Sequence, residues 1–245
     1  MATPLKLNTD TLQSKIKGTI ILPDHSAYDD ARRIWNAMID RRPALIVRCG
    51  QGSDVAPAIA FAREHNLEIS IRGGGHHIGG HSVSDNGLVI DFSEMKNVRV
   101  DLGTRRAYVQ PGATLRDFDQ AVQVHGLATP VGINSTTGIA GLTLGGGFGW
   151  LTREYGMTID NLVAADVVTA DGKMLHASAN ENADLFWAIR GGGGNFGVAT
   201  QFEFQLHPVG PNVFAGLIVF PFQQAKQILT RYRKFVESAP KKLNL

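Results

Sequence analysis

A chain of 245 residues with a net charge of +2, 43% hydrophobic and 19% charged residues can bury a substantial core, in one large domain or two small ones. Interspersed charges leave no basic stripe for nucleic acid, and no apolar run reaches the roughly 20 residues of a bilayer span, so neither nucleic acid nor membrane is expected as a partner. The opening MATPLKLNTD lacks a signal-peptide core, which makes a cytoplasmic location the expectation.

In chain order, residues 1–39 read as a leader followed by a helix over Ala27–Ile39, with Ile34, Trp35 and Met38 on one side. Ala44–Cys49 is a short apolar run suited to a buried parallel strand, and its Cys49, the single cysteine, reads as a small hydrophobe. Asp54 is placed to cap the next helix, whose Val55, Ala58, Ile59 and Ala62 share a face. Leu67–Ile71 and Gly87–Phe92 complete a small α/β unit. The pattern then changes to alternation. A hairpin is expected around Gly103-Thr104, then a helix capped by Thr114 and ended by Gly126, then a second hairpin turning at Asp171-Gly172. A helix over Asp184–Ile189 leads into an alternating strand from Val198 to Leu206. Asn212–Phe222 reads as a further strand, and Ile228, Leu229, Tyr232, Phe235 and Val236 form a helical apolar stripe.

Three glycine-rich stretches interrupt these elements: Ile71–Gly80 (IRGGGHHIGG), Gly138–Leu151 (GIAGLTLGGGFGWL) and Arg190–Thr200 (RGGGGNFGVAT). The 28 glycines exceed the usual ~7% and follow no collagen period, so the excess points to ligand loops. One large flat phosphorylated ligand, touched along its length by bare backbone, accounts for all three. Gly192–Gly197 satisfies GxGxxG, yet it follows a helix and opens a strand, the reverse of the dinucleotide fingerprint. No GxxxxGK[ST] occurs. His76, His77 and His81 lack HExxH spacing, so no metal site is expected.

RGGGH, PGATL, TGIAGLTLGGGFGWLTREYGMTIDNL and DLFWAIRGGGGNFGV occur in the order and spacing of FAD-linked oxidases with the vanillyl-alcohol-oxidase (PCMH) type of FAD domain. The chain most resembles their berberine-bridge-enzyme-like branch. The resemblance implies an α+β fold: a FAD-binding domain of two α/β subdomains over residues 40–210, with FAD in the cleft between them. Residues 211–245 would begin a substrate domain that is truncated here.

The same resemblance implies cofactor contacts from Arg72, Gly73, Gly74, Gly75, His76, His77 and Gly80 in the first loop, and from Pro111 and Gly112 in the second motif. Asn134, Thr136, Thr137, Gly138, Gly141, Leu144, Gly145, Gly146 and Gly149 follow in the third stretch. Asp160, Asn161 and Val168 come next, and Gly194, Phe196, Gly197 and Val198 close the set. Arg72 either offsets pyrophosphate charge or points to solvent. His76 matches the residue bonded through a ring nitrogen to the flavin 8α carbon, with His77 as a hydrogen-bonding neighbour. Asn134 stands where many members place a second, cysteinyl link, so a single histidyl link is expected. Thr137 falls near the position that influences oxygen access.

The implied activity is oxidation of an alcohol, sugar or related CH–OH or CH–NH donor, a small-molecule substrate, with oxygen as acceptor. Two other readings stay open: a reductase of the UDP-sugar enolpyruvate type with noncovalent FAD, and a flavin-binding fragment without turnover, since no catalytic base is identifiable. The substrate and the oligomeric state are unassigned.

Overall fold

The computed structural model describes residues 7–244; residues 1–6 of the expected leader and Leu245 lie outside them. Two short elements precede the first apolar run, α1 (Asp10–Gln13) and β1 (Thr19–Ile21). α2 (Tyr28–Arg32) then replaces the longer helix expected over 27–39. Beyond Arg32 the chain runs irregularly along the first glycine loop. Trp35 N donates to Gly75 O at 3.1 Å, Asn36 Nδ2 donates to Ile78 O at 2.8 Å, and Ile39 lies against Gly80. These tertiary contacts outweigh a weak helix propensity. Trp35 and Met38, expected on one side of that helix, are accordingly exposed on irregular chain.

The first unit continues with β2 (Leu45–Arg48), α3 (Val55–Glu64), β3 (Ile69–Arg72) and β4 (Leu88–Asp91). Its sheet has the order β1-β2-β4-β3, parallel except for the antiparallel edge β1. Because side chains alternate across a strand, Leu45 and Val47 pack with Val55, Ala58 and Ile59 of α3, while Ile46 and Val89 face Tyr28 and Ala31 of α2. Burial on both faces is why Leu45–Val47 is continuously apolar.

Asp54 does not cap α3 through its side chain. Its buried carboxylate instead accepts backbone N–H groups of Lys17 (3.1 Å), Gly18 (3.0 Å), Gly50 (2.9 Å) and Gln51 (3.3 Å), tying the β1 entry to the loop after β2.

The second unit is an antiparallel sheet. β5 (Val98–Asp101) and β6 (Arg106–Val109) form the first hairpin. α4 (Leu115–Gln123) follows; its Thr114 cap accepts from Asp117 N at 3.3 Å and the Asp117 carboxylate accepts from Thr114 N at 2.8 Å, a reciprocal capping box. β7 (Leu127–Ala128), α5 (Ile139–Leu144) and α6 (Thr152–Tyr155) lead to β8 (Leu162–Val168) and β9 (Met174–Ser178), joined through Asp171-Gly172 as expected. α7 (Ala183–Ile189), β10 (Val198–Gln205) and the two-residue β11 (His207–Pro208), which pairs with β7, complete the unit.

The strand order is β5-β6-β10-β8-β9, with Phe118 of α4 edge-on to Phe204 of β10 at 5.9 Å. Val168 and Val198 leave this sheet's own cluster and join the core under α3, and Arg63 of α3 donates to Ala170 O at 3.0 Å. The two units therefore share apolar surface.

Residues 212–221 form no strand, contrary to expectation. A strand needs a partner for its backbone groups, and Val213, Phe214, Leu217 and Ile218 are exposed with none beside them among the described residues. α8 (Ala225–Ser238) is the expected amphipathic helix, but its Leu229, Tyr232 and Phe235 are exposed. No helix among the described residues is long and apolar enough to cross a membrane.

Candidate functional site

The parallel strands β2, β4 and β3 deliver their carboxyl ends to one edge, the usual place for a ligand in an open α/β sheet. The chain leaves β3 there as Gly73–His76. This loop meets two others. A Cβ on Gly73 would lie 2.9 Å from Pro111 O, and one on Gly74 would lie 2.4 Å from Gly138 N. Glycine is required here because backbone presses on backbone. Gly112 is similar: its Cβ would fall 1.7 Å from Phe92 O. The Asn134–Gly138 segment is in turn pinned to α4, with Leu115 N donating to Thr137 O at 2.9 Å and Arg116 N to Ser135 O at 3.0 Å.

His76 is half-buried at this junction. Its Nε2 lies 3.1 Å from Thr136 Oγ1, and its ring stacks on Trp35 with centroids 5.4 Å apart and planes 24° apart. Desolvation pushes its pKa below the ordinary imidazole value, outweighing the opposing hydrogen bond that the ring donates to the Thr136 backbone. A neutral ring with a free lone pair results, the form in which imidazole acts as a nucleophile. His77 is exposed, accepts from Gly79 N at 3.1 Å and stands edge-on to His81 at 4.6 Å. Among the described residues no three His, Cys, Asp or Glu side chains group as metal ligands.

From Gly138 the short helix α5 runs about 9 Å to the other glycine stretches. Gly191 N donates to Leu144 O at 3.1 Å, while Ile159 N and Thr158 N donate to Gly146 O and Gly147 O at 3.1 and 2.9 Å. The loops at 144–149, 156–161 and 190–197 thus form a second cluster at the far end of α5. Here the glycines divide. Gly149 and Gly197 are packed on backbone carbonyls of Val131 and Val168, whereas a Cβ at Gly141, Gly191, Gly193 or Gly194 would meet nothing within 4 Å. The latter four are bare backbone facing open space.

The remaining expected contacts are distributed unevenly. Arg72 donates to Ala31 O, so its guanidinium is committed to the fold. Gly75 and Gly80 take positive φ, at 69° and 74°, in the first loop. Gly145 closes α5. Asp160 accepts from Met157 N at 2.8 Å and faces Arg190 at 3.6 Å. The buried Asn161 donates to the carbonyls of Tyr155 and Met157 and accepts from His207 Nε2 at 2.6 Å, beneath the Tyr155 ring. Val168 and Val198 are core residues, and Phe196 is exposed beside Gly194. Trp35, Tyr155 and His207 were not foreseen at the site, since nothing local in their sequence marks them.

The FAD binding domain family matches residues 43–178. The chain is 38% identical over 220 residues to (R)-6-hydroxynicotine oxidase of Paenarthrobacter nicotinovorans, covering 90% of this chain and 46% of that protein. The crystal structure of 6-hydroxy-D-nicotine oxidase from Arthrobacter nicotinovorans superimposes with a TM-score of 0.85 at 37% identity, over 90% of this chain and 49% of that one. Glucooligosaccharide oxidase from Acremonium strictum, described with a 6-S-cysteinyl, 8α-N1-histidyl FAD, gives a TM-score of 0.74 at 33% identity, over 80% of this chain and 42% of that one. The chain spans about half the length of these relatives. With its glycine loops, its α+β architecture and this match in hand, the chain belongs to the FAD binding domain family, among FAD-linked oxidoreductases of the vanillyl-alcohol-oxidase (PCMH) type.

Proposed function

We propose that this chain is the flavin-holding part of an FAD-dependent oxidase, with the flavin attached through a single 8α link to His76. The carrying observation is the convergence of three loops on a neutral, half-buried His76, beside Thr136 and under Trp35. FAD fits the residues present. Gly141, Gly191, Gly193 and Gly194 leave room for a flat ligand to lie on backbone along and beyond α5, and of these the Gly191 N–H is already given to Leu144 O, which leaves the other three to face phosphate oxygens.

When bound, the flavin supplies hydride acceptance from substrate and electron transfer to oxygen. The protein's part is to bind, orient and exclude water. His76 fixes the ring system by one bond, Trp35 limits the imidazole's rotation, and the crossed loops at Gly74 and Gly138 hold the two units at one spacing. The second-link position carries Asn134, which has no thiol, and Cys49 lies buried under α3, so one link is proposed rather than two.

Alcohol, sugar or related CH–OH or CH–NH donors are the proposed small-molecule substrates, in keeping with what the similar oxidases are named for, and oxygen is the proposed acceptor. Residues 40–210 are proposed as the FAD domain and 211–245 as the start of a substrate-binding part.

The test is acid precipitation of flavin-loaded protein. The pellet stays yellow, and His76→Ala releases its flavin to the supernatant. Free flavin from the unmutated, loaded protein would overturn the covalent reading.

A further inference from the structure

Asn134 and Thr136 form a short relay onto His76. Asn134 Oδ1 accepts both from Thr136 N at 3.1 Å and from Thr136 Oγ1 at 2.9 Å. A backbone N–H can only donate, so the atom facing it is the amide oxygen and the side-chain orientation of Asn134 follows. Thr136 has one hydroxyl proton, and it is spent on that oxygen. Toward His76 Nε2, 3.1 Å away, the Thr136 hydroxyl therefore presents only lone pairs. The contact is a hydrogen bond only if Nε2 carries the proton. A neutral imidazole has one such proton, which leaves the lone pair on Nδ1.

We propose that Asn134 and Thr136 are positioning residues that lock His76 in its Nε2–H tautomer and so select Nδ1 as the nitrogen that takes the flavin. This rests on the covalent attachment proposed above. Burial lowers the basicity of the ring and keeps it neutral, which the tautomer argument requires. Trp35, stacked on the ring, opposes its rotation out of this contact.

In the attachment step the Nδ1 lone pair forms one N–C bond to the 8α carbon and one methyl C–H is broken. The imidazolium gives up its Nε2 proton to solvent beside the exposed Thr136. The two electrons left on the ring system pass, with two protons, to molecular oxygen as hydrogen peroxide. Without the relay, neutral imidazole would divide between its two tautomers, and each nitrogen would be nucleophilic for part of the time.

The experiment uses the 245-residue chain, produced with ¹⁵N-histidine under riboflavin depletion. Long-range ¹H–¹⁵N correlation reports the tautomer of His76, assigned by its loss in His76→Gln. The expected signature is Nε2–H in the native sequence, a tautomer mixture in Thr136→Val, and the native pattern again in Thr136→Ser. On adding FAD, fluorescence of the denatured band should show covalent loading slowed about tenfold in Thr136→Val, the rate equivalent of one lost hydrogen bond. Peptide analysis should place the flavin on Nδ1. An Nδ1–H signature, attachment through Nε2, or loading of Thr136→Val at the native rate would each overturn the proposal. Release of all flavin on denaturation with the Nε2–H signature intact would overturn the covalent reading and support the relay itself.

Discussion

Gly74 and Gly138 stand backbone to backbone: a Cβ on the first would lie 2.4 Å from the amide nitrogen of the second, and a Cβ on the second 2.3 Å from that of the first. The loop leaving the parallel sheet and the loop opening α5 therefore touch with no side chain between them. Gly74→Ala and Gly138→Ala should each cost about 1–3 kcal/mol, the usual penalty for overpacking, read as a lower urea midpoint. Gly141→Ala is the contrasting case. Its added methyl group meets nothing, and inside α5 alanine is favoured over glycine by about 0.5–1 kcal/mol. That variant should fold at least as stably yet bind FAD more weakly in a titration. Native affinity in Gly141→Ala would argue against flavin lying along α5.

The four backbone N–H groups gathered by the Asp54 carboxylate set a second expectation. In Asp54→Asn an NH₂ group replaces one acceptor oxygen and faces donors. Leaving buried donors unpaired costs about 1–3 kcal/mol, so the midpoint of chemical denaturation should fall with an unchanged slope. Stability equal to that of the native chain would mean that water replaces the carboxylate without loss.

Cys49 is fully buried, and burial, helped by the nearby Asp54 and Asp91 carboxylates, pushes its thiol pKa up to about 12. A thiol reagent near neutral pH should leave the native chain unlabelled and modify it once denaturant is added. Cys49→Ser should attach flavin as the native sequence does. Recovery of a flavin-linked peptide containing Cys49 would contradict the single-link proposal.

Across β8 and β9, His176 Nδ1 lies 2.8 Å from Asp166, and that hydrogen bond, more than the opposing desolvation, raises the imidazole pKa. A raised folded-state pKa stabilises below the unfolded value of about 6.5; the benefit is lost as pH rises through the folded-state value. Both groups are partly exposed, so the effect is small. Denaturation midpoints measured from about pH 5 to 9 should decline through this window in the native chain. In Asp166→Asn that component of the decline should be absent.

Much of this architecture could be read from local pattern. Val55, Ala58, Ile59 and Ala62 mark one helix face, Thr114 with Asp117 marks a helix start, and Asp171-Gly172 marks a hairpin, because each signal lies within a few residues of its effect. What escaped depends on distant partners. Trp35 leaves the helix because the glycine loop around Gly75 and His76 offers it a stack and a hydrogen bond. The carboxylate of Asp54 answers to Lys17 and Gly18. Residues 212–221 have strand-like composition and no strand to pair with. Gly112 and Gly149 looked like ligand glycines, yet a Cβ on either would strike a carbonyl oxygen of the chain itself, at 1.7 and 1.8 Å. Sequence clustering alone cannot separate those from Gly141 and Gly194, where space is open.

β10 is the last long strand among the described residues and sits in the middle of its sheet, between β6 and β8. During synthesis the hairpins β5–β6 and β8–β9 emerge first, the edges of β6 and β8 that β10 will pair still open and one apolar face of each uncovered. Only when the ribosome has released Gln205 can a single strand zip both hairpins together. Until then the nascent chain carries two open templates for wrong pairing, a condition in which chaperone protection counts most. Val198, at the start of that same strand, also enters the core beneath α3, so its arrival completes the packing of the parallel unit as well.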